Sequence, residues 1–325
     1  MRYVLLSIIS TLAVCTSSFS EESEADLRLR IKTGESLSYA CTMNASTVST
    51  GRVLGKPFTR TTENNSSHTC MLKGLAAKPE GVPISIRLKD ITHYGKEAFG
   101  TDGEAGTETS AEVTISREKV KAIENGKVVV DSENDIGMDQ IGPLQQQLKL
   151  LENSEARMIV DATGHQGELQ GDALLVDAIR EGGVSRVFPV LPGKPIKAGE
   201  SWEDSFNLPK ISTFKLAKAA IVRSKLTFNK WETVDGKRLA LIDIVCAWDH
   251  QELKGENEKS GMLVEISGID SKFTGSSHFD PEAGHFIDLK LTGSTKYHID
   301  SQQDDQTMGL DVTAKSAFSF VEKTK

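Results

Sequence analysis

The sequence predicts a mainly β protein with a small α insert. Long antiparallel strands form two curved, half-barrel-like regions, and two short helices cover the sheet. Three observations carry this prediction. Apolar and polar residues alternate at period two over long stretches, most clearly at 287–299 and 308–320. Apolar residues recur at helical spacing only near 144–151 and 173–181. Turn pairs such as Asn125-Gly126 and Asp235-Gly236 punctuate the alternation. The 325 residues are 38% hydrophobic and 26% charged, which fits a globular chain with a core.

Residues 1–20 stand apart. One Arg, an apolar run over 3–15 and a small-residue end at Ser18 and Ser20 predict a signal peptide cut after Ser20. Cys15 leaves a lipid-anchored form as an alternative, although Val14 before it is bulkier than such sites favour. The mature chain is expected in the periplasm or outside the cell, with no transmembrane segment. Removing Arg2 from the 38 Lys and Arg leaves 37 against 46 Asp and Glu, a net charge of −9. An acidic chain without a basic cluster repels phosphate backbones and anionic lipid, so no nucleic-acid partner is expected.

The mature sequence divides into a β region at 21–138, a helix–hairpin–helix insert at 139–188 and a second β region at 189–325. Leu27, Leu29 and Ile31 alternate with Arg28, Arg30 and Lys32, and Leu37, Tyr39, Cys41 and Met43 resume the period after a Gly-Glu-Ser turn. This reads as a hairpin with one buried face. Residues 52–69 are polar and read as loop-rich. Strands follow at 82–92 and 111–123. In the insert, Leu144, Leu148 and Leu151 share one helical face, and Pro143 suits a first turn. A short hairpin spans 156–171. Asp172 and Gly182 bracket the second helix as caps.

Four of the nine prolines (Pro189, Pro192, Pro195 and Pro209) lie in the next segment and predict an extended connector. Its "IKAGESW" at 196–202 matches "IKTGESL" at 31–37 in five of seven positions. Such a match arises by chance about once in a chain this long, but both copies turn at Gly-Glu-Ser and launch a strand with a large apolar residue. Two related β halves are therefore expected. The stretch Pro192, Pro195, Gly199, Glu200, Ser201 and Trp202 resembles the P-x-x-P-V-x-x-G-[DE]-[ST]-W stretch of a family of exported bacterial proteins of unknown function, with Ile196 in place of Val. The early "LRLRIKTGESLSY" and the helix–hairpin–helix centre are also similar. The resemblance implies a bacterial, exported, β-rich protein and brings no catalytic residues.

Few constellations of chemistry emerge, and no catalytic, cofactor-binding or metal-ligating residue is assigned. His278, Asp280, Glu282 and His285 have metal-ligand types, but Asp-Pro and Gly284 are turn chemistry and read as a hairpin tip flanked by Phe279 and Phe286. Asp249 and His250 are consecutive on a strand and point apart. Of the three cysteines left after cleavage, Cys41 and Cys70 lie where they can pair, whereas Cys246 reads as a small buried hydrophobe. The one-faced sheet opposite amphipathic helices leads to the expectation of a non-enzymatic envelope protein with an apolar, lipid-like ligand. The alternatives are a structural or protein-interaction module of the envelope and, last, a hydrolase.

Overall fold

The computed structural model describes residues 24–53, 56–101, 108–181, 188–211, 214–249, 252–257, 261–303 and 306–323. The expected signal peptide, Cys15, Gly182 and His250 lie outside the described residues. The first half forms β1 (Ser36–Val53), β2 (Lys56–Gly74), β3 (Val82–Thr101), β4 (Thr109–Ser116), β5 (Val120–Glu124) and β6 (Lys127–Asp131). The centre supplies α1 (Met138–Asn153), β7 (Ala156–Val160), β8 (Gln170–Gly171) and α2 (Ala173–Glu181). The second half forms β9 (Ser201–Ile211), β10 (Phe214–Val234), β11 (Lys237–Trp248), β12 (Glu252–Asn257), β13 (Leu263–Asp280), β14 (His285–Gln303) and β15 (Gln306–Glu322).

All fifteen strands belong to one antiparallel sheet, so the chain is mainly β, with two short helices. Each half is a meander. β1 to β6 follow one another in space, as do β9 to β15. β11 and β12 share one position between β10 and β13, one after the other along it. β4 and β7 share the position beside β3 in the same way. The first strand then pairs with the last, from Tyr39↔Glu322 to Gly51↔Leu310, and this seam joins the two β regions into one sheet.

Because side chains alternate across a sheet, the register defines two faces. Cys41 stands opposite Phe320 and His68, Phe320 opposite Leu289, and Leu289 opposite Ser277. This inner face carries the main core, in which Tyr39, Leu72, Ile84, Ile86, Phe228, Ile242, Phe279 and Phe286 are buried. Its cover has three parts: Leu175, Val176 and Ile179 of α2, the segment holding Leu27, Leu29 and Ile31, and the proline-rich connector with Phe188, Leu191 and Ile196. A second cluster gathers Leu216, Leu253, Val264 and Ile266. A third packs Ile141 of α1 against Val120 and Val130.

Three sequence expectations are corrected. The 27–31 segment does not form a hairpin with β1. It runs extended across the core, Leu29 N–H donating to Ala162 O (2.8 Å) and Arg30 N–H to Gly284 O (2.8 Å), while Ala25 bridges Ile196. Alternation requires one buried face but leaves the backbone partner open. The 52–69 stretch is mostly strand: β2 is laddered on both sides by β1 and β3. Its polar side chains are tolerated because backbone ladders need no apolar side chain, and much of its length lies beyond the main core. In α1 the inward positions include Ile141, because the helix begins at Met138 and Pro143 sits inside it; Leu144 is exposed. Other details hold. Asp172 accepts Leu174 N–H at 3.0 Å at the start of α2. Asn125 and Gly126 both have positive φ in the β5–β6 turn.

Where β4 leaves the side of β3 and β7 takes its place, Asp90 adopts φ 53° and the ladder with β2 slips. A buried carboxylate spans this break. Glu152 of α1 accepts the Ile91 N–H at 3.2 Å, its backbone carbonyl accepts Lys89 Nζ at 2.7 Å, and Arg117 lies 3.8 Å from its carboxylate. The orphan backbone donor at the bulge is thereby satisfied.

The two copies of the seven-residue match fold alike. Glu35 accepts Lys32 N–H at 2.7 Å, and Glu200 accepts Lys197 N–H at 2.9 Å. Gly34 and Gly199 have φ of 82° and 86°. Each glycine N–H donates to the strand that returns alongside, at Gly74 O and Phe228 O. Trp202 is half-buried against the core and donates its indole N–H to Val190 O at 2.7 Å. An added Cβ meets nothing within 4 Å at either glycine, so backbone strain alone opposes substitution. Gly34→Ala and Gly199→Ala are each expected to lose about 1–2 kcal/mol in denaturant unfolding. A neutral result at one position and a large loss at the other would show that the turns are not equivalent.

Candidate functional site

The inner face is not packed solid everywhere. Period-two alternation on β1 places Cys41 and Met43 on this face, and on β2 it places Ser66, His68 and Cys70 there. β3 adds Ile86 and Leu88, and β15 adds Phe318 and Phe320. Leu151 of α1 and Ala178 and Ile179 of α2 lie over them. Between helices and sheet a pocket of about 200 Å³ remains, walled almost wholly by apolar atoms. An apolar cavity of about 150 Å³ admits a benzene ring; typical small-molecule sites run from about 300 Å³ upward. The pocket therefore suits one ring or the end of a chain, and not a whole lipid.

Two thiols line it. Cys41 faces His68 directly across β1–β2, Cys70 faces Tyr39, and the two cysteines are diagonal neighbours on one face. Both are free and buried. The Cys70 thiol hydrogen-bonds the Cys41 sulfur, burial works against this, and a hydrogen bond from His68 adds to it; together they bring Cys41 down to about 6. The same thiol–thiol bond, reinforced by burial, pushes Cys70 well up. The pairing thus favours the thiolate on Cys41 and the proton on Cys70. The sequence brings out the strand positions of both cysteines. It misses His68, which falls in the stretch read as loop, although a period-two count back from Cys70 reaches it.

The residues of the hairpin tip go separate ways. His278 contacts Asp288 (3.0 Å) and Glu232 (3.0 Å). Asp280 accepts the N–H groups of Glu282 (3.0 Å) and Ala283 (2.9 Å), which is turn chemistry. His285 reaches Glu322 at 3.4 Å, and its Nδ1 is buried without a partner among the described residues. The rings of Phe279 and Phe286 meet edge to face at 5.1 Å across the tip. Elsewhere Asp249 pairs with Arg223 at 2.6 Å. Cys246 is half-buried, accepts a hydrogen bond from Ser224 Oγ (3.2 Å), and has its thiol pushed up by burial.

The opposite face is polar. Asn44, Glu63, Asn65, Lys272, Thr274, Thr292, Ser294 and Lys315 line an open groove of about 790 Å³ across β13, β14, β15, β1 and β2. It is larger than the apolar pocket but wide and shallow, and its hydroxyls and amides are already in water. None of the described helices is long and apolar enough to cross a membrane.

No known family profile matches the chain, and no curated protein matches it. A solved structure titled "Crystal structure of the receptor binding domain" aligns over 89% of this chain and 82% of that chain at 8% identity, with a TM-score of 0.12. A likeness at that level carries no argument about fold or function.

Two pH effects follow. Burial lowers the His278 pKa, but its hydrogen bonds to the Glu232 and Asp288 carboxylates outweigh it and the net shift is upward. A raised histidine pKa contributes stability that is full below the unfolded value of about 6.5 and is lost as pH rises through the folded value. The stability advantage of the wild type over His278→Gln should therefore be full below about pH 6.5 and shrink as pH rises above it in urea titrations; a constant difference would rule this out. Thiol labelling provides the second check. Iodoacetamide should modify Cys41 at lower pH than Cys246, as read by peptide mass spectrometry.

Proposed function

We propose that the chain is an exported protein of the bacterial cell envelope, periplasmic or extracellular, which holds an apolar, lipid-like group without catalysing a reaction. The carrying observation is the apolar pocket of about 200 Å³ between α1, α2 and the inner face of β1, β2, β3 and β15. Its size favours the end of one acyl chain or a single ring, with the remainder of the ligand outside. The signal-like residues 1–20 and the resemblance to exported bacterial proteins support the location. A second reading, an interaction module of the envelope, is favoured by the open polar groove on the other face. A hydrolase has the least support, since Asp249 is engaged by Arg223 and the hairpin-tip residues serve the turn and separate ion pairs.

Ala178 supplies the test, because it lines the pocket from α2 with a minimal side chain. Ala178→Phe should exclude about two methylenes of ligand, at about 0.8 kcal/mol each, and so weaken binding of a fluorescent fatty acid about tenfold. Lys315→Ala in the polar groove should leave binding unchanged. Wild-type protein from its own host that repeatedly shows no bound lipid by native mass spectrometry, and no affinity for the probe, would end this reading.

A further inference from the structure

The thiols of the pocket wall carry an inference of their own. Cys41 and Cys70 project from the same face of β1 and β2, each directly opposite a residue next but one to the other. Both border one partly open pocket, and Cys41 sits across from the imidazole of His68. Cys246, the other described cysteine, is on β11 and bonded to Ser224. We propose that Cys41 and Cys70 are a reversible dithiol–disulfide pair, oxidised by exchange with a low-molecular-weight disulfide.

The chemistry divides between the two sulfurs. The Cys41 thiolate attacks one sulfur of the incoming disulfide; its S–S bond breaks, a mixed disulfide forms on Cys41, and one thiolate departs. Cys70 gives up its proton and attacks the Cys41 sulfur. The cross-strand bond forms, and the second small thiolate leaves with that proton. In sum, two protein thiols and one external disulfide become one protein disulfide and two external thiols. The unequal acidities suit these roles: the shift is downward at the attacking sulfur and upward at the resolving one.

Geometry also decides what kind of disulfide results. Diagonal neighbours across an antiparallel pair have Cα atoms about 7–8 Å apart, beyond the roughly 4.4–6.8 Å that a disulfide spans without backbone movement. Closing the bond must draw β1 and β2 together locally. A bond formed that way is strained and easily reduced, the property of a regulatory link rather than a structural one. Closure would reshape the wall of the apolar pocket. Any effect on a ligand rests on the apolar-pocket reading, but the thiol chemistry does not.

The test uses the reduced full-length protein with no ligand, treated with oxidised glutathione, then alkylated in denaturant and digested. The expected result is protection of Cys41 and Cys70 together, a linked peptide pair joining β1 to β2, no retained glutathione, and Cys246 still open to alkylation. Mild dithiothreitol should restore both thiols. Cys70→Ser should trap one glutathione on Cys41, and Cys41→Ser should react at least about tenfold more slowly. A stable glutathione adduct on wild-type Cys41, or full alkylation of both cysteines after oxidation, would overturn the proposal. The wild-type result decides even if a variant fails to fold, and it stands whether or not the pocket takes a fatty acid.

Discussion

The structure depends on the seam between its first and last strands. β1 and β15 are separated by most of the chain, yet they pair along thirteen consecutive positions. At the base of the seam the rings of Tyr39 and Phe320 stack at 3.9 Å, and the Tyr39 hydroxyl donates to Phe286 O at 3.0 Å. Burial, with a smaller push from Glu322, raises the Tyr39 pKa well above its usual value, so the hydroxyl stays a donor. Without this contact the two meanders are separate sheets, each with an uncovered apolar face. With it, one inner face runs from β2 to β13, and α2 and the extended segments have a single surface to close.

That closure is uneven. The strands reach up to 21 residues, but the main core occupies one end of the sheet. Toward the middle, β1, β2 and β15 carry Asn, Ser, Thr and Ala. The pocket lies at this transition, where the bulky core residues give way to Met43, Ser66 and Phe318 and the helices no longer fit the sheet closely. Turns at the covered end are correspondingly constrained. Gly284 accepts the Arg30 N–H, and a Cβ there would lie 2.4 Å from that of Arg30, so the hairpin tip and the crossing segment fit only with glycine.

The charged groups divide by burial. Pairs such as Arg60–Glu97 and Lys254–Glu265 are exposed and add little stability. Glu152 and Asp131 are buried, and each is held by backbone or amide donors as well as by a cation. A buried carboxylate left unpaired would cost several kcal/mol. These two acids therefore sit where the ladder breaks or turns and otherwise unpaired donors must be met.

The sequence alone determined the class of the fold, the Asn-Gly and Gly-Glu-Ser turns, and which residues of β14 and β15 share a face. These are local matters, set by period, propensity and positive φ, and each is written in a few adjacent residues. It also marked Leu27, Leu29 and Ile31 as buried, and Cys41 and Cys70 as strand residues. Only the tertiary structure decided where those residues go. The 27–31 segment meets Ala162 and Gly284 rather than its neighbour in sequence, polar β2 is held as strand by ladders on both sides, and His68 is brought opposite Cys41. The physical reason is the same in each case. A backbone N–H or C=O accepts any partner of correct geometry, so its choice is made by the assembly of distant strands and not by the side chains beside it.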